Sequence, residues 1–241
     1  MRALLAQWRA ELTLGSRQGE QLLVSLGVPL GILVFFSNVD VLPTGSGKPV
    51  EFLAPAVLAL AVMSSAMVSL GISTGFERYY GVLKRIGATP LGRGRLVTAK
   101  ILQVLTIEAV QFAVIISAAF IMGWSPKSGW PMAILGAAAG TAAFAGIGLF
   151  MAGTLSGTLN LAASNALYLA LLITGGMMVP FEKLPHALRV VAELLPAAAL
   201  SDVMIGSLTP DHAVHSGSWA VLIAWAIVTP LAAARFFRWD G

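Results

Sequence analysis

The chain has 241 residues, of which 57% are hydrophobic and 11% are charged, and its mean hydropathy is +0.84. An average soluble domain carries about 25% charged residues, so this composition excludes an ordinary soluble enzyme domain. The net charge is +4 and there are no cysteines. Disulfides, thiolate metal sites and cysteine nucleophiles are therefore excluded as well.

The first 20 residues predict an amphipathic helix. Leu4, Leu5, Trp8 and Leu12 recur at helical spacing, while charged residues such as Glu11 fall on other faces. The charges interrupt what would have to be the apolar core of a cleavable signal peptide, so none is predicted. We expect residues 1–20 to lie along the membrane interface.

Six apolar stretches follow, and a membrane-spanning helix needs roughly 20 such residues. The sequence therefore predicts an all-α, polytopic membrane protein with a single transmembrane domain over residues 1–241. The fourth stretch contains two GxxxG patterns, which are typical of close helix packing in lipid. The predicted spans are Leu22–Asn38, Phe52–Gly75, Val97–Met122, Met132–Leu155, Leu161–Phe181 and Trp219–Ala234.

The positions of Lys and Arg predict the orientation of these spans. With a cytoplasmic amino terminus, most of the 15 Lys and Arg residues fall on the cytoplasmic side, and only Lys48, Lys127, Lys183 and Arg189 fall outside. Both termini are then cytoplasmic. This topology and anionic inner-leaflet lipid account for the positive charge, so no nucleic-acid partner is predicted.

Two motifs that suggest catalysis fail on inspection. Residues 43–49 read PTGSGKP, but Leu42 stands where a phosphate-binding loop needs glycine, and Pro49 stands where it needs Ser or Thr. Residues 154–157 read TLSG, a serine beside glycine at a span end, which suggests an intramembrane serine protease. Such an enzyme would need a histidine within the membrane, and every histidine lies in the long outer segment 182–218. The chain is therefore predicted to be no enzyme and to bind no cofactor or metal itself.

A few polar residues fall inside the predicted spans. Glu108 is an acid deep in the third span, and Gln111 follows on the same helical face. Because a carboxylate in hydrocarbon is costly, Glu108 should face protein or water. Asn165 in the fifth span is a weaker example. These three residues are candidates for the translocation path, and the alternative, which such residues more often serve, is a structural contact between helices.

The cytoplasmic stretch from Phe76 to Lys100 is rich in basic residues. It also predicts a short amphipathic helix from Tyr79 to Ile86, which Gly87 and Pro90 end. A short amphipathic helix at the membrane surface suits docking to a soluble partner.

This stretch resembles a known pattern in both spacing and residue type. It resembles the E-R-x-x-G-x-L-K-x-x-x-A-T-P-L segment of ABC-2-type permeases, the membrane subunits of a class of ABC exporters. A second stretch, between Gly175 and Pro196, is similar to the segment between the fifth and sixth spans of that family. The matching residues of the first stretch are Glu77, Arg78, Gly81, Leu83, Lys84, Ala88, Thr89, Pro90 and Leu91, and the stretch closes with Lys100.

The resemblance implies that residues 76–96 form the coupling segment that contacts the ATPase. It further implies re-entrant helices at the outer leaflet within residues 182–218, and a pore shared with a second permease, either a copy of this chain or a different one. ATP and magnesium would bind in separate ATPase subunits. The expected coupling residues are Glu77, Arg78, Tyr79, Val82, Leu83, Lys84, Arg85, Thr89 and Pro90.

From these features we expect an exporter permease of the bacterial plasma membrane that moves a hydrophobic, drug-like, antibiotic or lipid-like substrate. A haem-export-type permease is the nearest alternative within transport. A non-transporting assembly or scaffold protein is an alternative from another class, and an intramembrane enzyme is disfavoured by the positions of the histidines.

Overall fold

A computed structural model describes residues 2–17, 19–39, 48–87, 89, 92–177, 186–210 and 212–238. These residues form helices and short connections without a β-strand, which confirms the predicted all-α class. Most of the glycine-rich run at residues 43–49 lies outside the described residues, and so does Pro90.

The helices are numbered in chain order, and a π-helical segment, Ser64–Ser69, joins α3 to α4 without a break. The α-helices are α1 Arg2–Arg17, α2 Gly19–Asn38, α3 Pro49–Met63, α4 Leu70–Tyr79, α5 Val82–Gly87, α6 Gly92–Ile121, α7 Trp130–Thr154, α8 Gly157–Thr174, α9 His186–Ala192, α10 Pro196–Leu208 and α11 Ser218–Phe236.

Five helical stretches within the described residues are long and apolar enough to cross a membrane. The first predicted span falls in α2 and is not one of these five. The part of α2 whose side chains the structure describes, Ser25–Asn38, is apolar but has only 14 residues, fewer than the roughly 20 of a crossing. Six spans are therefore not confirmed, although a multi-pass membrane protein is. The five stretches are Pro49–Tyr79, Gly94–Ile121, Trp130–Thr154, Gly157–Thr174 and Ser218–Phe236.

The continuous helix Pro49–Tyr79 occupies the centre of the bundle. Its most apolar window is 89% buried, compared with 17% for the window of α11. Its path through the centre allows a close approach to α7, because a Cβ added at Gly148 would lie 2.6 Å from the carbonyl oxygen of Met67. Glycine is required where two helix backbones meet at this distance.

The segment 182–218 contains the two short helices α9 and α10. Every residue of α10 except Asp202 is buried. Gly136 and Gly140 of α7 face it, since added Cβ atoms there would lie 2.6 Å from Val203 Cγ1 and 2.7 Å from Leu200 Cδ2. α10 is therefore part of the packed core, and the re-entrant role of the segment stays a prediction.

Two predicted boundaries are wrong. The fifth span was expected to begin at Leu161, but α8 begins at Gly157 and ends at Thr174. The single helix expected from Tyr79 to Ile86 is instead divided, because α4 ends at Tyr79 and α5 begins at Val82. α5 ends at Gly87, as predicted.

Candidate functional site

The turn between α4 and α5 places Tyr79 to Arg85 at a corner on the protein surface. The backbone N–H groups of Tyr80 and Gly81 donate to the carbonyls of Phe76 and Arg78, at 2.9 and 3.0 Å. Gly81 has a φ of 71°, a conformation that residues with a side chain rarely adopt. Because a residue with a side chain would be strained in this conformation, glycine at position 81 permits the turn that separates α4 from α5.

The side chains of the corner divide into an exposed set and an anchor. Tyr79 and Tyr80 are 61% and 65% exposed, and their rings meet edge to face with centroids 5.2 Å apart. Leu83 is only 1% exposed, so it holds α5 against the bundle and is not free to fill a groove on another protein. The exposed set, termed the corner surface below, comprises Tyr79, Tyr80, Val82, Lys84 and Arg85.

Glu77 and Arg78, both expected to contact the partner, each make contacts within the chain, and the partner contact stays a prediction. The Nζ atom of Lys100 lies 2.8 Å from Oε1 and 2.7 Å from Oε2 of Glu77. The guanidinium of Arg78 donates to the carbonyl oxygens of Ala152 and Leu155, at 2.8 and 3.0 Å. Arg78 thus caps α7, where a cation is favoured by the helix dipole.

Thr89 lies just after the end of α5 and bonds back to that helix. Its hydroxyl donates to the carbonyl oxygen of Ile86 at 2.6 Å, and its backbone N–H donates to the same oxygen at 3.0 Å. These bonds satisfy a carbonyl that the end of α5 would otherwise leave open. Within the described part of residues 76–96, Glu77 is therefore tied to α6 and Arg78 to α7, while the corner surface is exposed.

Glu108 lies in the interior, where three helices meet. It is 5% exposed, and each carboxyl oxygen accepts a hydrogen bond from a different helix. Ser65 Oγ, in the π-helical segment, donates to Oε1 at 3.0 Å, and Thr141 Oγ1 of α7 donates to Oε2 at 2.8 Å. Both oxygens are satisfied by neutral donors, so the carboxyl group joins the central helix, α6 and α7.

Gln111 and Asn165 both lie near Ser25 of α2 but make different contacts. Gln111 is 2% exposed, and its Nε2 donates to the carbonyl oxygen of Ser25 at 2.9 Å. Asn165 Nδ2 donates to its own helix, at the carbonyl of Leu161, and its side chain borders a cavity of about 100 Å³ together with Ser25 and Tyr168. The structure therefore brings Glu108 and Gln111 onto one buried face of α6 and leaves Asn165 apart from them.

Several residues of these contacts were not singled out from the sequence. Ser65 and Thr141 are common residue types in membrane helices and carry no signal of their own. Lys100 was named as the end of the matched stretch, but its pairing was not predicted, although a lysine inside the predicted span Val97–Met122 indicates a buried partner. Glu11 was expected on the polar face of α1, but it is 3% exposed and faces Lys100.

The Glu108 contacts predict different effects for two substitutions. Glu108→Gln should change the free energy of unfolding by less than about 1 kcal/mol, because the Ser65 and Thr141 hydroxyls can rotate to pair with an amide. Glu108→Leu should lower it by roughly 1–3 kcal/mol, because two buried hydrogen bonds are lost. Thermal unfolding in detergent measures both. Equal losses for the two variants would contradict a role in hydrogen bonding.

Comparison with known proteins places these features in a family. The family described as ABC-2 family transporter protein matches residues 30–235, a range that includes the corner surface and the Glu108 contacts. The chain is also 28% identical over 202 residues to YvfS of Bacillus subtilis (strain 168), which is named as a transport permease; the match covers 82% of each chain. The family match extends over most of the sequence, and this chain therefore belongs to the ABC-2 family of transporter membrane proteins.

Proposed function

We propose that this chain is the permease subunit of an ATP-driven exporter, and that the corner surface binds the ATPase subunit. Two such permeases, either identical or different, form the translocation pathway in the plasma membrane of a bacterium. The ATPase subunits are supplied as separate chains and hold ATP and magnesium. Closure of the ATPase subunits around bound ATP displaces the corner, and the displacement moves the membrane helices.

The observation that carries this proposal is the composition of the corner surface. Aromatic residues and arginine are enriched at protein interfaces, and here two exposed tyrosines stand beside Lys84 and Arg85. The surface is also held in place, since Leu83 is buried against the bundle, Arg78 is bonded to the end of α7 and Gly81 forms the turn between them. A rigid, exposed projection suits the transmission of a push from a partner protein.

The distribution of basic residues supports a cytoplasmic position for the corner. The end of the bundle with the corner carries Lys84, Arg85, Arg235 and Arg238. At the opposite end, where Lys127 Nζ donates to the carbonyl of His212 at 2.7 Å, the basic residues among those that the structure describes are Lys48, Lys127 and Arg189. An excess of Lys and Arg is typical of the cytoplasmic side of a membrane protein.

The interior supports a hydrophobic substrate. A cavity of about 250 Å³ lies between α1, α2 and α6, and its lining is apolar apart from a few polar groups such as Gln111. A lipid-like or drug-like molecule fits such a lining better than a sugar or an ion, because burying an unpaired polar group is costly.

Co-purification tests the proposal. The tagged chain is isolated from its native membrane in mild detergent, and its partners are identified by mass spectrometry. We expect a soluble protein with an intact phosphate-binding loop. Recovery of that protein should fall at least about tenfold in the double variants Tyr79→Ala/Tyr80→Ala and Lys84→Glu/Arg85→Glu, which corresponds to the loss of interface side chains worth about 1.4 kcal/mol or more.

A second aromatic pair provides the matched control. Phe35 and Phe36 of α2 also meet edge to face, with centroids 5.1 Å apart, and Phe35 is 58% exposed. The variant Phe35→Ala/Phe36→Ala should bind the ATPase as the parent does. Recovery of the parent chain without any ATPase would favour the scaffold alternative, whereas recovery with cytochrome-maturation proteins would favour haem export.

A further inference from the structure

Lys100 of α6 lies between two carboxyl groups from distant parts of the chain. Its Nζ atom is 3.1 Å from Oε2 of Glu11 in α1 and 2.7 Å from Oε2 of Glu77 in α4. The side chains of Lys100 and Glu11 are 3% and 4% exposed, and that of Glu77 is 22% exposed. A single buried ammonium group therefore joins three helices.

Further bonds fix α1 to this point. Gln7 Nε2 donates to Oε1 of Glu11 at 2.8 Å, and Gln103 Nε2 of α6 donates to the backbone carbonyl of Glu11 at 3.1 Å. Removed from water, charged groups interact more strongly than they do at the surface. The link between α1 and α6 therefore depends on Glu11 and Lys100 more than on any contact exposed to solvent.

The position of Glu77 gives this link a consequence for movement. Glu77 is two residues before Tyr79, the first residue of the corner surface, and it sits on the last turn of α4. A displacement of the corner must carry Glu77 with it. Because Lys100 contacts Glu77 and Glu11 with the same nitrogen, that displacement changes the position of the ammonium group relative to α1.

We propose that Lys100 is a positioning residue that couples the corner to the amino-terminal helix, so that movement driven by the ATPase shifts α1. This inference rests on the proposed function, since it presupposes a partner that moves the corner. Glu11 and Glu77 are the two ends of the coupling, and Lys100 is its centre. Helix α1 thereby moves with the transport cycle and is more than a passive anchor at the membrane surface.

A spin label on α1 tests the proposal directly. The chain has no cysteine, and Leu14 is 56% exposed, so Leu14→Cys gives a single labelling site. In the complex with the ATPase subunit, addition of a non-hydrolysable ATP analogue should change the spectrum of the label. Glu11→Gln should abolish that change and lower transport-linked ATP hydrolysis by roughly fivefold or more, a typical size for coupling between sites.

Glu11→Gln is chosen because Lys100 keeps Glu77 as a partner, so no ammonium group is left without a carboxylate. Should Glu11→Gln fail to accumulate, Glu11→Asp shortens the side chain by one methylene and should reduce the response of the label. The control is Glu193→Gln, which removes a carboxylate from the exposed pair that Arg189 and Glu193 form at 3.0 Å. This control should leave the response of the label unchanged.

The outcomes separate the inference from the proposed function. If the parent complex forms and the label responds equally in the parent and in Glu11→Gln, the coupling through Lys100 is overturned while the permease function stands. If the parent binds no ATPase at all, the proposed function fails and the inference fails with it. A response that is lost in Glu11→Gln alone, with ATPase binding intact, supports the coupling.

Discussion

Substitution of Lys100 by methionine should lower the free energy of unfolding by about 3–5 kcal/mol, the usual cost of removing one partner from a buried ion pair. Methionine is unbranched like lysine and only one heavy atom shorter, so packing changes little. Glu11 and Glu77 would then face each other across a site with 3.1 Å or less between each carboxylate and the position of the lost ammonium. Thermal unfolding in detergent, followed by size-exclusion chromatography, measures the loss.

The exposed pair of Arg189 and Glu193 supplies the control for this experiment. These side chains are 38% and 56% exposed and lie one helical turn apart. Arg189→Met should therefore cost no more than about 0.5 kcal/mol. If Lys100→Met were as mild as Arg189→Met, the two carboxyl groups would not depend on Lys100, and the account of the three-helix contact would be wrong.

Substitution of Gly146 by alanine should also destabilise the protein, through a different mechanism. Gly146 lies where α7 meets α11, and an added Cβ would lie 2.5 Å from the backbone nitrogen of Pro230. The two helices are joined at this point, because Thr229 Oγ1 donates to the carbonyl oxygen of Ala143 at 2.7 Å. Backbone cannot yield as a side chain can, so we expect a loss of about 1–3 kcal/mol. Thermal unfolding measures it.

Gly31→Ala provides a glycine substitution without a steric cost. Gly31 lies within α2, and an added Cβ there meets no atom within 4 Å. Alanine is favoured over glycine in a helix by up to about 1 kcal/mol, so this variant should be unchanged or slightly more stable. Similar losses for Gly146→Ala and Gly31→Ala would show that helix propensity, and not the approach of α11, determines the effect.

Much of the fold could be predicted from the sequence. Long apolar stretches predicted the all-α membrane class and the approximate positions of five spans, because the thickness of the bilayer requires roughly 20 apolar residues for each crossing. Gly87 correctly predicted the end of α5. The corner itself was missed, because Gly81 is compatible with both a continuous helix and a turn until its φ is known.

The side-chain contacts of the candidate site were harder to predict from the sequence than the helices. Helical periodicity gives the face on which a residue lies, but it does not identify the partner on another helix. Glu11 and Lys100 are 89 positions apart, and nothing in the local pattern of either residue predicts their pairing. For the same reason Glu77 and Arg78 were expected to contact another protein, although α6 and α7 already hold their charged groups.

The π-helical segment Ser64–Ser69 has a further consequence for the corner. A π turn accommodates one residue more than an α turn, and each residue of an α-helix advances the side chains by about 100°. The segment therefore determines the direction in which the side chains of α4 point around the helix axis. Glu77 faces Lys100, and Arg78 faces the end of α7, in the rotational position that the π turn produces. The contacts of Glu77 and Arg78 thus depend on the number of residues in this helix as well as on their types.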